Sequence, residues 1–310
     1  MRDAFIAELS MLAAEDDSVA LITGDLGFGV LTEFANKFPT QYLNAGVAEQ
    51  NMTMVAAGMA LSGHKVFTYS IGNFCTLRCL EQIRNDICYH DANVTVVSVG
   101  AGFSYGQLGV SHFAIEDLAV MRALPNMTIV APSDPWEARI LVRQMHKLRG
   151  PKYLRIDKGC AALPEQPDDV KLGKARVLRN GSDITLIGIG AILGQALEAS
   201  DQLALVGISA RVIGYHSLKP FDANAAITAA SETNGIITIE EHTIIGGLGS
   251  TVAEVCLEAN TPPGFFRRIG LNDQYPTIVG DQDYLRAAYS MDADSIVSVA
   301  KSALDSSLTD

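Results

Sequence analysis

The stretch Asn44–Gly63, NAGVAEQNMTMVAAGMALSG, decides how the rest of the chain is read. One carboxylate, Glu49, opens a run that is apolar nearly all round: Met52, Met54, Val55, Ala56, Ala57, Met59, Ala60 and Leu61. Negative charge at a helix start is favoured by the backbone dipole, so Glu49 alone reads as an ordinary helix-end acid. A helix apolar on every side, however, sits inside a domain or an interface, and it takes Glu49 with it. The pattern predicts a helix over residues 48–62 with an acid at its N-terminal end.

Outward from this helix, helical periods alternate with short β-branched runs. The strand candidates are VALIT (19–23), KVFTYS (65–70), NVTVVSVG (93–100), MTIVAP (127–132) and KYLRID (152–157). Helices are expected between them, near 31–37, 48–62, 76–89, 115–123 and 134–147. The segment KGCAALPEQPDDVKLGK (158–174) has two prolines, a charge cluster and no apolar period, as a linker does. The alternation then restarts: DITLIGIG (183–190), SARVIGY (209–215), GIITIE (235–240) and FFRRIGL (265–271), with helices near 191–206, 222–232 and 248–260. Strands alternating with helices imply parallel sheets. Two consecutive α/β domains are expected, at 1–160 and 175–310 with 161–174 between them. Each is a mostly parallel sheet covered by helices on both faces.

Composition narrows the function. A net charge of −12 over 310 residues, with no basic stripe, argues against nucleic acid and against an anionic membrane surface as partners. The longest apolar run, around Ile184 to Leu193, is too short and too Gly-rich to span a bilayer. The opening MRDAFIAELSMLAAEDD reads as an amphipathic helix, not a signal segment, so a cytoplasmic location is expected. Five cysteines lack both a disulfide framework and the paired spacing of structural zinc sites; they read as small buried thiols.

Several motifs carry two readings each. GIGAILG (188–194) follows a strand and opens a helix, but is one residue too long for G-x-G-x-x-G and reads as a tight turn. TGDLGFG (23–29) superficially matches a magnesium–diphosphate turn, yet Leu26 stands where a small residue is wanted. In GVSHFAIEDLAVMRALPNMTIVAPSD (109–134), His112 lies at a loop tip before a helix. It can move a proton near neutral pH or simply pack the loop.

AGVAEQNMTMVAAGMALSG, GVSHFAIEDLAVMRALPNMTIVAPSD, LRIDKG and EEHTIIGGLGS occur in the order and at the spacings of the thiamine diphosphate enzymes of the transketolase group. The resemblance covers the pyrimidine-binding domain (1–160) and the C-terminal domain (175–310). The diphosphate-binding domain, with its Gly-Asp-Gly…Asn metal motif, has no counterpart. The chain thus resembles the C-terminal subunit of a split transketolase.

The resemblance implies roles for individual residues. Glu49 would hydrogen-bond the aminopyrimidine N1′ of thiamine diphosphate and promote formation of the ylid. Burial favours the neutral form of a carboxyl group, so a glutamate there can hold or share a proton. Phe74, or second Tyr69, would stack on the pyrimidine. Asp25 would lie near cofactor and substrate, and His112 would line the substrate channel. Lys158 falls where many relatives place an arginine for the substrate phosphate, keeping the charge but losing the bidentate fork. The sequence also departs from the family: Gly100, Leu108 and Gly29 stand where a second channel histidine, an acid and a phosphate-contacting serine are expected.

The implied activity is transfer of a two-carbon ketol unit from a ketose to an aldose, with sugars or sugar phosphates as substrates. It proceeds through a dihydroxyethyl-thiamine intermediate. An N-terminal transketolase subunit would hold Mg2+ and the diphosphate, in an α2β2 assembly whose interface includes helix 48–62. Three other readings stay open. They are the β subunit of a 2-oxoacid dehydrogenase, a non-catalytic assembly subunit, and a dinucleotide oxidoreductase resting on the imperfect glycine turn. Glu240, Glu241 and His242 read as structural or interfacial.

Overall fold

The β-branched runs become strands because their side chains are covered on both sides. In the computed structural model, which describes residues 1–307, Val19–Thr23 (β1), Val94–Val99 (β4), Lys152–Ile156 (β6) and Ile184–Ile189 (β8) are buried at every position. Burial on two faces is the signature of a parallel sheet between helical layers. The remaining strands are Tyr42–Asn44 (β2), Lys65–Ile71 (β3), Thr128–Val130 (β5), Arg176–Arg179 (β7), Ala210–Tyr215 (β9), Ser217–Lys219 (β10), Gly235–Thr243 (β11) and Phe265–Leu271 (β12). They form a seven-stranded sheet, β10-β5-β6-β4-β3-β1-β2, and a five-stranded sheet, β12-β11-β8-β9-β7. Pairing is parallel throughout except for β10 with β5 and β7 with β9. Of the expected second domain, residues 308–310 lie outside the described residues.

The decisive helix runs Glu49–Leu61. It is not buried all round: Met52, Thr53, Ala56 and Ala57 face the core, while Met54 and Leu61 are exposed on the opposite side. Its outer side thus exposes Met54 and Leu61 among Gln50, Asn51 and Gly58. A second difference concerns residues 76–89, expected as one helix. The chain instead forms a turn at Gly72–Cys75, a 3-10 turn at Leu77–Cys79, one α turn at Leu80–Gln82 and a π-helical stretch at Ile83–Cys88. The buried positions Cys75, Cys79, Ile83 and Ile87 recur every fourth residue. That spacing exceeds the α-helical period of about 3.6 residues, and the wider i→i+5 turn keeps Ile83 and Ile87 facing inward.

The two halves are not separate bodies. β10 leaves the second half and adds itself antiparallel to β5 of the first sheet, with Ser217 opposite Val130 and Lys219 opposite Ile129. Between the halves lies a buried charge layer. Arg155 donates to Asp117 at 2.8 Å and to the carbonyls of Ala114 and Glu241. Glu241 accepts from Arg286 and from the amide of Phe103, both at 2.5 Å. Glu240 accepts the first amides of helix Leu248–Glu258 from Leu248 and Gly249. Glu241 and His242 are thus engaged across the halves, His242 accepting from the amide of Ala119, while Glu240 caps a helix of its own half.

At the far end of the first sheet, Asp16 ties the end of helix Arg2–Glu15 to the start of β3. It accepts from the amide and hydroxyl of Ser18 and from Lys65 Nζ at 2.9 Å. The Ser18 hydroxyl, aided by Lys65 and opposed by burial, holds this carboxyl down from its ordinary 3.8 to about 2. A depressed folded pKa stabilises above the unfolded value and is lost as pH falls through the folded one. The Asp16 contribution is therefore complete above about pH 4 and disappears on acidification to about pH 2. Asp16→Asn should flatten the urea midpoint against pH across that window; an unchanged acid slope would refute the assignment.

Candidate active site

The C-terminal edge of the first sheet gathers the candidate residues. Gly24 and Asp25 follow β1, Gly72 to Phe74 follow β3, Gly100 follows β4, and Asp157 and Lys158 follow β6. The chain runs from β1 outward to β2, then returns across β1 to β3, so the crossover direction reverses there. Open α/β sheets bind ligands in the crevice at such a point. Helix Glu49–Leu61 makes that return, which sets Glu49 at its base.

Glu49 is only 4% exposed. Gly24 lies against it closely enough that a Cβ there would stand 3.3 Å from Glu49 Cγ. Oε2 accepts from Arg78 Nη1 at 2.8 Å, while Oε1 has no donor among the described residues. Glu49 Oε1 is not among the buried polar atoms that lack a partner, so this oxygen opens toward the crevice. From Arg78 a continuous line of contacts leads across the edge. The guanidinium lies 4.4 Å from the centroid of Phe74, and the Phe74 ring meets His112 edge-on, with centroids 5.0 Å apart and planes at 63°. His112 stands 6.3 Å from Tyr105, and Lys158 Nζ sits 3.8 Å over the Tyr105 ring. Ser111 Oγ lies 3.0 Å from His112 Nδ1, and Asn73 fixes the loop by donating to the Ser111 carbonyl at 3.0 Å. Beyond Lys158 opens a cavity of about 430 Å³ lined by Ser104, Tyr105, Gln107, Lys158, Asp281 and Gln282, the last two from the second half.

Glu49, Phe74, His112 and Lys158 are thus brought onto one line. Asp25 is on the same edge but apart from it: exposed, at φ +56°, it exchanges two hydrogen bonds with Asn44. Tyr69 is a correction. At 2% exposure its ring stacks on Phe5 with centroids 6.2 Å apart, inside the core, where no cofactor ring can reach it. Gly100 finds a reason in the structure. Its φ is +96°, and any side chain there would collide with the ring of Tyr105. Tyr105 takes the room a residue at position 100 would use. Gly29 is exposed at φ +78°, a conformation that favours glycine, and exposed Leu108 lines the cavity beyond Lys158.

The comparisons decide the family. Residues 1–162 match the transketolase pyrimidine binding domain and residues 173–296 the transketolase C-terminal domain. The chain belongs to the transketolase family. It is 38% identical to a subunit of the apulose-4-phosphate transketolase of Phocaeicola vulgatus, over 96% of each chain. It is 35% identical to the 6-deoxy-6-sulfo-D-fructose transketolase subunit SqwH of Clostridium sp. (strain MSTE9), over 97% of this chain and 93% of that one. Among solved structures it resembles a split-gene transketolase described as an inactive β4 tetramer (TM-score 0.86, 37% identity, 98% of this chain and 97% of that one). This transketolase-family chain is a transferase subunit with the domain pair of a split transketolase's C-terminal part. Among its described residues no helix is long and apolar enough to cross a membrane.

Two residues of this contact line were not among the candidates named from the sequence. Arg78 sits on a separate turn from Phe74 and 29 positions from Glu49, so no local spacing signalled it. Tyr105 had no signal either: its place follows from the backbone at Gly100.

Proposed function

We propose that the chain is the pyrimidine-binding subunit of a split, thiamine diphosphate-dependent transketolase. It would transfer a two-carbon ketol unit between a ketose and an aldose in carbohydrate metabolism, in the cytoplasm. A unit at 1–160 forms the cofactor side, a unit at 175–310 completes the assembly, and 161–174 joins them. A partner subunit carries the Mg2+-diphosphate domain, and two copies of each make α2β2. The outer side of helix Glu49–Leu61, with Met54 and Leu61 exposed, offers a surface for that assembly.

The observation that carries this reading is the half-satisfied carboxylate of Glu49 beside half-buried Phe74. An aminopyrimidine fits that pair: a flat ring for the phenyl face and a ring nitrogen for the open oxygen. Thiamine diphosphate, when bound, supplies the carbanion chemistry that breaks and forms the carbon–carbon bond. Glu49 holds or releases a proton at Oε1, Phe74 stacks, and Asp25 lies toward cofactor and substrate. His112 hydrogen-bonds sugar hydroxyls and moves a proton at its imidazole. Lys158 offers a point charge to an anionic sugar. The two relatives named above carry a phosphate and a sulfo group in the names of their sugars, which suits that charge.

The test is purification of the tagged chain from its native cells with every co-purifying chain sequenced. One partner with Gly-Asp-Gly…Asn, and binding of thiamine diphosphate with Mg2+ by the pair, is the expected result. A lipoyl-carrying acyltransferase in the complex would assign the chain to a 2-oxoacid dehydrogenase instead. A chain that comes down alone and binds no cofactor would contradict catalysis.

A further inference from the structure

The Arg78 side chain touches both Glu49 and the Phe74 ring. Its Nη1 donates to Glu49 Oε2 at 2.8 Å while its guanidinium lies 4.4 Å from the phenyl centroid. The side chain is 46% exposed and Glu49 only 4%, so the charged head reaches inward from the surface. Its backbone carbonyl accepts from Gln50 Nε2 at 3.1 Å, which ties this turn to the residue beside Glu49.

The local backbone makes that contact consequential. Phe74 and Arg78 do not share a continuous helix: Thr76, at φ −111° and ψ −82°, breaks the chain between a short α turn and a 3-10 turn. Their alignment therefore depends on the guanidinium–phenyl contact rather than on a common helical frame. A carboxylate free to rotate about Cγ–Cδ would exchange its oxygens. With Oε2 engaged, Oε1 is the one presented. A planar guanidinium that donates to a carboxylate and lies on a ring orients both planes at once, which a lysine ammonium does not do.

We infer that Arg78 is a positioning residue, which presents Glu49 Oε1 and the Phe74 face together to the aminopyrimidine. This inference rests on the cofactor reading above and names the residue that makes its two contacts act as a unit.

The experiment is calorimetric titration of thiamine diphosphate, at fixed Mg2+, into the co-purified complex carrying wild-type chain, Arg78→Ala or Arg78→Lys. Melting temperatures without cofactor are measured alongside. Arg78→Ala should weaken cofactor binding about tenfold to a hundredfold with little change in melting temperature. Arg78→Lys should recover only a small part of that loss, and added guanidinium ion should improve binding to Arg78→Ala but not to the wild type. Should the alanine variant fail to assemble, the lysine variant decides. Binding by the variants within twofold of wild type, or full recovery with lysine, overturns the positioning role while leaving the cofactor site intact. Absence of binding to the wild-type complex overturns the cofactor reading itself, and the role of Arg78 with it.

Discussion

Glu49→Gln should lower kcat for ketol transfer by the assembled enzyme about 10²–10⁴-fold, the range over which a positioned acid–base group acts. The amide matches the carboxylate in shape and still offers an oxygen to Arg78 Nη1, which stands 2.8 Å from Oε2. It cannot take up a proton. A Cβ at Gly24 would stand only 3.3 Å from the Glu49 side chain, so there is little spare room, and the isosteric change isolates chemistry from packing. Because Arg78 is half exposed, losing its charged partner costs little stability. The expected signature is a fallen kcat with a melting temperature near that of the wild type. Transfer that survives within a fewfold would remove Glu49 from the proton path, and the non-catalytic reading of the chain would gain ground.

The second large effect is on stability. Arg155→Met should destabilise the fold by about 3–5 kcal/mol, as expected when one partner of a buried ion pair is removed. Arg155 is 3% exposed and spans the halves: it donates to Asp117 Oδ2, to Ala114 O and to Glu241 O. Burial works against its charge, but Asp117 and Tyr153 outweigh burial and its pKa is raised. Methionine matches much of the volume and leaves Asp117, 1% exposed, with only the Tyr153 hydroxyl on that oxygen. Urea unfolding would show the loss as a lower midpoint. The double change Arg155→Met with Asp117→Asn should recover part of it by removing the stranded charge. A single-variant loss under about 1 kcal/mol would mean that water or a rearranged neighbour replaces the arginine.

How far the sequence could be read follows from how local each signal was. β1 lies where VALIT placed it, because a run of apolar and β-branched residues needs nothing beyond itself to specify a covered strand; β12 also lies at FFRRIGL, with Arg267 and Arg268 left exposed. Glu49 was legible from the greasy helix it opens. Tyr69 was misread because β3 is covered on both faces, so alternation cannot tell core from crevice. Arg78 lies 29 positions from the carboxylate it holds, and no local period encodes such a pairing. The broken segment 72–88 was hidden by a spacing of four, which resembles a helix until the turns are counted. The strand Ser217–Lys219, three residues with one apolar side chain among them, has too little pattern to register.

That last strand has a consequence for how the molecule can be divided. A polypeptide cut within 161–174 yields a first fragment whose β5 presents a bare row of amides and carbonyls, since the segment that covers them is supplied from beyond the cut. Such an edge invites pairing with any other chain that offers one. The boundary at 161–174 thus separates the first sheet from one of its own strands. Expressed alone, the cofactor-side fragment would tend to find its missing strand in a neighbouring copy and leave solution as an aggregate.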